Sequence, residues 1–257
     1  MLLAIDIGNT NIVFGCFDGD KILFRERAAT SQRSTDLEYA SVILTAFRLH
    51  EVDFKGITGA MISSVVPSVT ATMKAAVEKI SGLKAKVVGP GIKTGLSILI
   101  DNPAQLGSDL VVAASAGIRE YPVPLIIIDL GTATTLSVID SKKNYIGGII
   151  MTGMAVSADA LTNKTAQLPR IAFEKPKRVI GTNTVDCMKS GIMYSTAGAI
   201  DELISRIEEE LGEKCTVVAT GGLAPLVVPI CRRSITLDED LLLKGLKIIF
   251  DKNNKQQ

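Results

Sequence analysis

One phosphate-loop signature occurs twice in this chain. Near the N-terminus the sequence reads Leu3-Ala4-Ile5-Asp6-Ile7-Gly8-Asn9-Thr10-Asn11-Ile12-Val13. In mid-chain it reads Ile127-Ile128-Asp129-Leu130-Gly131-Thr132-Ala133-Thr134-Thr135-Leu136. Each copy is an apolar run, then Asp-x-Gly, then short polar residues, then a second apolar run. A single such hairpin carries little information, because glycine makes a tight turn and aspartate caps it. Two copies about half the chain apart point to two like-folded halves facing each other across one nucleotide site.

The pattern around the two copies repeats as well. Residues 2–7, 11–17 and 21–27 read as three short strands, with Asp18-Gly19-Asp20 as a hairpin turn. A polar loop over 28–35 precedes a helix over 36–50, whose apolar face holds Leu37, Ala40, Ile43, Leu44 and Phe47. A strand over 57–66, a helix over 68–81 capped by Ser68, and a strand over 84–89 follow; residues 92–101 form a mixed connection. Asn102, Pro103 and Gln105 predict the start of a helix that runs to Glu120. Tyr121-Pro122-Val123-Pro124 interrupts any regular element and marks the boundary between residues 1–121 and 122–257. The pattern then restarts, with strands over 125–129, 134–140 and 144–150 and helices over 154–163 and 183–211. A strand over 216–220, a helix just after Gly221-Gly222, and a final helix over 238–251 opened by Asp238 complete it. The tail Asn253–Gln257 is expected to fray. Each half predicts an α/β domain, a mixed sheet with helices on its faces.

Composition removes several function classes. A net charge of +1, 4% aromatic residues and no Trp give no case for nucleic acid. No apolar run reaches the roughly 18 residues needed to span a bilayer. Asp6 interrupts any signal-peptide core, so a cytoplasmic address is expected. Cys16, Cys187, Cys215 and Cys231 form no C-x-x-C pair and His50 is the only histidine, which argues against a zinc site. The cysteines read as reduced thiols. A Ser-His-Asp triad would have to use His50, which reads as a solvent-facing residue at a helix end. Any general base is expected to be a carboxylate.

Four segments carry possible chemistry. In the first loop, Gly8 lets the backbone approach phosphates and Asn9, Thr10 and Asn11 add short donors. Asp6 faces phosphate only through a divalent cation or its bound water, so the loop implies magnesium-nucleotide. In the second loop, Thr132, Thr134 and Thr135 form a hydroxyl set suited to phosphate oxygens; strand propensity is the competing account of Thr134 and Thr135. In the third segment, a buried strand enters Gly221-Gly222, where a flat ring or sugar can lie against the backbone. The fourth is Asp109, in Gly107-Ser108-Asp109-Leu110. It is either a first-turn aspartate favoured by the helix dipole or a carboxylate whose pKa apolar surroundings raise, as a general base needs. Gly147-Gly148 to Gly153 either packs beneath the second loop or shapes an acceptor pocket.

The double Asp-x-Gly hairpin with Thr220-Gly221-Gly222 resembles the acetate and sugar kinase, heat-shock chaperone and actin superfamily. More narrowly, the chain resembles the type III pantothenate kinases. Ser63-Ser-Val-Val-Pro67, Asp101-Asn-Pro103, Gly107-Ser-Asp109, Leu168-Pro169, Gly181-Thr-Asn-Thr184 and Ala219-Thr-Gly-Gly-Leu-Ala-Pro225 add to the match, which runs from Leu3 to about Leu246. The resemblance implies two duplicated ribonuclease-H-like domains with a nucleotide cleft between them. It implies ATP-dependent phosphorylation of pantothenate, the first step of coenzyme A synthesis. It further implies that Asp6, Ile7, Gly8, Asn9, Thr10, Asn11, Ile12 and Val13 line the ATP phosphates, with Asp6 near magnesium. Thr132 would also touch ATP, and Gly221 and Gly222 would lie near the adenosine. Asp129 would help hold a monovalent cation, potassium or ammonium. Gly107, Ser108, Asp109 and Leu110 would contact pantothenate, with Asp109 as the base. Thr184 would reach the substrate from the neighbouring subunit of a homodimer whose site lies at the interface. Two positions depart from the family pattern. The acidic motif usually reads Gly-Ala-Asp-Arg, and Leu110 stands where Arg is common; Ile100 stands where Tyr is common. Both bear on affinity for the substrate.

Overall fold

Strands β1 (Leu2–Ile7), β2 (Asn11–Asp18) and β3 (Lys21–Ala29) form an antiparallel meander in the computed structural model, which describes residues 1–254. Almost all of β1 is buried, as its apolar run Leu2–Ile5 requires of a strand covered on both faces. Helix α1 (Asp36–Leu49) starts at Thr35, whose hydroxyl accepts from the Glu38 N–H while the Glu38 carboxylate accepts from the Thr35 N–H. Strand β4 (Gly59–Ser64) then runs parallel to β1, helix α2 (Pro67–Ser81) follows, and the short β5 (Lys86–Val87) pairs with β4. The sheet order is β3-β2-β1-β4-β5. Tyr39, Ile43 and Phe47 of α1 and Val69, Met73 and Val77 of α2 share one core with β1 and β4.

The second sheet repeats the first. After β6 (Ser97–Ile98) and helix α3 (Ser108–Glu120) come β7 (Leu125–Leu130), β8 (Ala133–Ile139) and β9 (Asn144–Thr152), again an antiparallel meander. Helices α4 (Met154–Lys164) and α5 (Thr184–Leu211) precede β10 (Thr216–Thr220), which is parallel to β7. Helix α6 (Ala224–Val227), β11 (Thr236–Leu237) and helix α7 (Leu241–Asn254) close the chain. The order is β11-β10-β7-β8-β9, with β6 added beyond β9. Strand order and direction therefore match the first sheet element for element. The register breaks between Cys16 and Phe17 in β2 and between Val138 and Ile139 in β8, the corresponding place in each copy.

Several boundaries differ from the sequence expectation. Helix α2 begins at Pro67 and Ser68 does not cap it; proline occupies the first turn because the missing N–H has no intrahelical partner there. The helix expected from Asn102 is broken. Asn102 does accept from the Ala104 N–H, but only a 3-10 turn over Pro103–Gln105 follows. Leu106 is extended (φ −68°, ψ 124°) and α3 starts at Ser108. The helix after Gly221-Gly222 is a single turn, and the last helix starts at Leu241 rather than Asp238. Asp238 is instead buried, accepting from the Tyr121 hydroxyl at 2.8 Å. Asn253 is not frayed: its side chain bonds both the N–H and the C=O of Lys93. Lys255–Gln257, in the expected fraying tail, lie outside the described residues.

One compact unit comprises Met1–Leu96, Asn102–Ala116 and the stretch from Asp240; the other comprises Ser97–Asp101 and Gly117–Glu239. This grouping differs from a single cut after residue 121. Helix α7 buries Leu241, Leu243, Leu246 and Ile249 in the first unit, where it packs on β1, β2 and β4. Arg25 of β3 anchors its entry through Asp240 at 3.0 Å.

In the second unit, Glu208 of α5 is buried and accepts from Lys214 at 2.7 Å, from the Cys215 N–H at 3.1 Å, and from Arg233. Burial pushes its pKa up, but these donors outweigh that and hold it below the usual range. A lowered folded pKa contributes stability that is present above the unfolded value and lost as pH falls through the folded one. Glu208→Gln should therefore cost about 1–3 kcal/mol at pH 7. Thermal denaturation should show that gap to wild type closing below roughly pH 4.

Candidate active site

The two loops are built alike. In the first, Asp6 pairs in register with Val13 and Ile7 with Ile12, leaving Gly8 to Asn11 as the turn, closed by the Gly8 N–H on the Asn11 carbonyl at 3.0 Å. In the second, Asp129 pairs with Thr135 and Leu130 with Thr134, and the Gly131 N–H bonds the Ala133 carbonyl at 3.1 Å. The second turn is thus one residue shorter. Asn9, Thr10 and Thr132 are exposed at the tips, while Asp6 Oδ1 is shielded from solvent. Thr134 is fully buried and its Oγ1 has no partner among the described residues. Its side chain belongs to the core, so strand propensity accounts for it, whereas Thr132 is exposed at the tip.

Each loop is braced from the residue that follows the third strand. Thr30 donates through Oγ1 to the Gly8 carbonyl at 2.7 Å and through its N–H to the Thr10 carbonyl at 2.9 Å. At the matching place Gly153 lies directly against the carbonyls of Gly131 and Thr132; a Cβ there would sit 2.5 and 2.2 Å from those oxygens. Of the two readings for the Gly147–Gly153 segment, packing beneath the second loop holds at Gly153.

The parallel strand beside each Asp differs between copies. Asp6 faces Ser63 on β4 and Asp129 faces Thr220 on β10, both buried. The next position is Ser64 in one and Gly221 in the other. Gly221 has φ +95°, and a Cβ on it would lie 2.4 Å from Asp129 Oδ1 and 2.6 Å from the Leu130 N. The carboxylate of Asp129 is thus packed against this glycine, and Gly222 beyond it is exposed.

Asp109 lies in the first turn of α3, where the Gly107 carbonyl accepts the first helical bond from the Val111 N–H at 3.1 Å. The Leu110 N–H donates to Asp109 Oδ1 at 2.8 Å, and Oδ2 accepts no hydrogen bond among the described residues. Gly107 sits against Oδ1, with space for no side chain: a Cβ would come within 2.4 Å. Burial raises the Asp109 pKa, and the backbone N–H groups of Leu110 and Asp109 only partly offset this. Both sequence accounts of Asp109 are therefore met: it is a first-turn aspartate, and its environment disfavours the charge. The Ser108 hydroxyl turns the other way, onto the end of β4. Thr184 is the exposed first residue of α5, beside the N-cap Asn183.

Other candidates fall away. His50 is not simply solvent-facing: its ring stacks on Phe24 with centroids 4.9 Å apart and its Nε2 meets Glu26 at 2.7 Å. Burial pushes the thiols of Cys16 and Cys215 up to about 11 and that of Cys231 up to about 12, so none of the three is a thiolate at neutral pH. Among the described residues no three His, Cys, Asp or Glu side chains cluster as a metal cage. Magnesium that arrives with a nucleotide needs only one or two carboxylates beside the phosphates, and Asp6 at the foot of the first loop fits that requirement.

No described helix is long and apolar enough to cross a membrane. The family model for type III pantothenate kinase matches residues 2–206. A type III pantothenate kinase of an Exiguobacterium species is 42% identical over 255 residues, covering 99% of this chain and 100% of that protein. That of Brevibacillus brevis is 42% identical, covering 98% and 99%. Among solved structures, a Campylobacter jejuni protein described as a Baf family transcriptional activator superposes with TM-score 0.60 at 18% identity, covering 98% of this chain and 99% of its own. The activator of the 2-hydroxyisocaproyl-CoA dehydratase from Clostridium difficile, solved with bound ADPNP, gives 0.57 at 13%, covering 100% and 96%. These distant likenesses show the fold alone, a duplicated mixed α/β arrangement. With two duplicated sheets, two phosphate-type loops and near-full-length sequence identity behind it, the chain belongs to the type III pantothenate kinase family, which phosphorylates pantothenate with ATP in the first step of coenzyme A biosynthesis.

Proposed function

We propose that Asp109 is the general base of this kinase. Its free carboxylate oxygen takes the proton from the primary hydroxyl of pantothenate as that oxygen attacks the γ-phosphorus of ATP in line. The bond from the γ-phosphorus to the bridging oxygen breaks, and 4'-phosphopantothenate and ADP leave. The observation that carries this reading is the state of Asp109: one oxygen held by backbone, the other open, and a pKa raised by burial. Phosphoryl transfer otherwise asks the protein for positioning and charge stabilisation.

The remaining roles follow from placement. The exposed donors Asn9, Thr10 and Thr132 bind phosphate oxygens, and Gly8 and Gly131 let the backbone come close. Asp6 would hold magnesium, which when bound with ATP would neutralise phosphate charge. Asp129, wedged against Gly221, helps hold a monovalent cation. Gly221 and Gly222 lie against the adenosine, and the Gly107–Leu110 segment meets pantothenate, with the Ser108 hydroxyl itself turned to β4. Val179 and Ile180 leave 63% and 81% of their surface exposed just before Thr184. Exposed apolar side chains of this kind suit a subunit interface, which supports a homodimer that brings Thr184 to the partner's substrate. A cytoplasmic location fits an enzyme that uses ATP and whose cysteines are all free.

Purified protein given magnesium-ATP and pantothenate should form phosphopantothenate, with potassium raising turnover well above sodium. Turnover indifferent to the monovalent ion would remove the role given to Asp129. Bound ATP with no product would point instead to another acceptor, and then to Leu110 and Ile100, which depart from the family pattern at the substrate contacts.

A further inference from the structure

The end of β4 has a backbone problem that Ser108 solves. Along a parallel strand alternate residues point their N–H and C=O to the same neighbour. The Ile62 carbonyl accepts from the Val88 N–H at 2.8 Å, on the β5 side, and the Val65 N–H donates to the Ile7 carbonyl at 3.1 Å, on the β1 side. Ser64 therefore points its N–H and C=O toward β5, but the paired part of β5 has already ended at Val87. The Ser108 hydroxyl fills the gap. It accepts from the Ser64 N–H at 3.1 Å and donates to the Ser64 carbonyl at 2.9 Å. A hydroxyl has one proton, so the Ser63 hydroxyl, 3.1 Å away, is the donor in the third contact. All the bonding capacity of Ser108 is used on two consecutive residues of β4. The Ser64 hydroxyl is itself tied to α2 by the Thr70 hydroxyl at 2.7 Å.

We infer that Ser108 is the positioning residue for Asp109, latching the first turn of α3 to the strand that lies in register with Asp6. Ser63 is the register partner of Asp6, and Ser108 immediately precedes Asp109, so the latch refers the base to the same strand pair that carries the first phosphate loop. The preceding Leu106 is extended and Gly107 carries no side chain, so little else in the chain just before α3 resists a slide of that turn. The latch acts through Asp109, and thus rests on the reading of Asp109 as the base.

The test is a double-mutant cycle read in single-turnover phosphorylation of pantothenate with excess enzyme. Ser108→Ala should lower the transfer rate roughly 5- to 50-fold, short of the ~10²-fold expected for a 1 Å misplacement, with ATP affinity unchanged. Ser108→Thr, which keeps the hydroxyl, should restore most of the rate. Ser63→Ala, which removes only one of the three bonds, should give a smaller loss in the same direction, and it stands in if the Ser108 variants fold poorly. In an Asp109→Asn background Ser108→Ala should add nothing, because the group it places is gone. A wild-type rate in Ser108→Ala, or losses that multiply with Asp109→Asn, would overturn the latch while leaving the base assignment standing. A wild-type rate in Asp109→Asn alone would overturn the base assignment itself, whatever Ser108 does.

Discussion

Asp109→Asn should lower kcat by ~10²–10⁴-fold, the usual contribution of a general base, while ATP binding stays near wild type. Asparagine keeps the size and accepts the Leu110 N–H through its amide oxygen, so the turn that holds it is preserved. What it loses is the capacity to take a proton. The pH profile adds a second, independent reading. Burial raises the Asp109 pKa above the usual carboxylate range, against the smaller pull of the Leu110 and Asp109 N–H groups. A base works only when deprotonated, so kcat/KM for pantothenate should fall as pH drops through that raised value. The acid limb should lie above the ordinary aspartate value of about 3.9, and it should be absent from the Asn variant. Loss of rate with an unchanged acid limb would mean that another group titrates in the reaction.

Gly221→Ala should be strongly destabilising. The added Cβ would sit 2.4 Å from Asp129 Oδ1 and 2.6–2.8 Å from the Leu130 backbone, at a φ of +95° that side chains avoid. Backbone strain of about 1–3 kcal/mol and overpacking of about 1–3 kcal/mol both apply, and neither the Leu130 backbone nor the strand pairing Asp129 to Thr220 yields cheaply. A loss of roughly 2–6 kcal/mol at this chain length means a Tm lower by about 5–20 °C. If the site relaxes, Asp129 is what moves, so potassium activation should be lost together with stability. Calorimetry and a potassium titration check both. A variant with wild-type Tm and wild-type potassium response would show that the contact at Gly221 is not tight in solution.

The two loops were legible because their requirement is local. An Asp at a strand end, a glycine at the turn and short donors at the tip name both the hairpin and its ligand class, and the repeat at half-chain spacing names the duplication. Strands β1, β4, β7 and β10 are apolar over most of their length and mostly buried, as strands covered on both faces must be. Asp109 was ambiguous for a physical reason. A first-turn aspartate and a desolvated carboxylate share one sequence pattern, and the burial that raises the pKa is visible only in the fold. The resemblance implies Ser108 as a substrate contact; nothing in the sequence says that β5 stops two residues in and that the Ser108 hydroxyl satisfies Ser64. Asp238 was taken as a helix opener for a similar reason, since its partner Tyr121 lies far away in the chain.

By itself the sequence determined the duplicated α/β pattern and the family, because each rests on residue types in recurring local patterns. Tertiary structure alone decided that α7 packs on the first sheet, that Gly221 makes room for the Asp129 carboxylate, that Thr134 is core, and that Ser108 serves β4. Each of those depends on which surfaces meet across long stretches of chain, and hydrophobic periodicity says that a face is buried without saying against what.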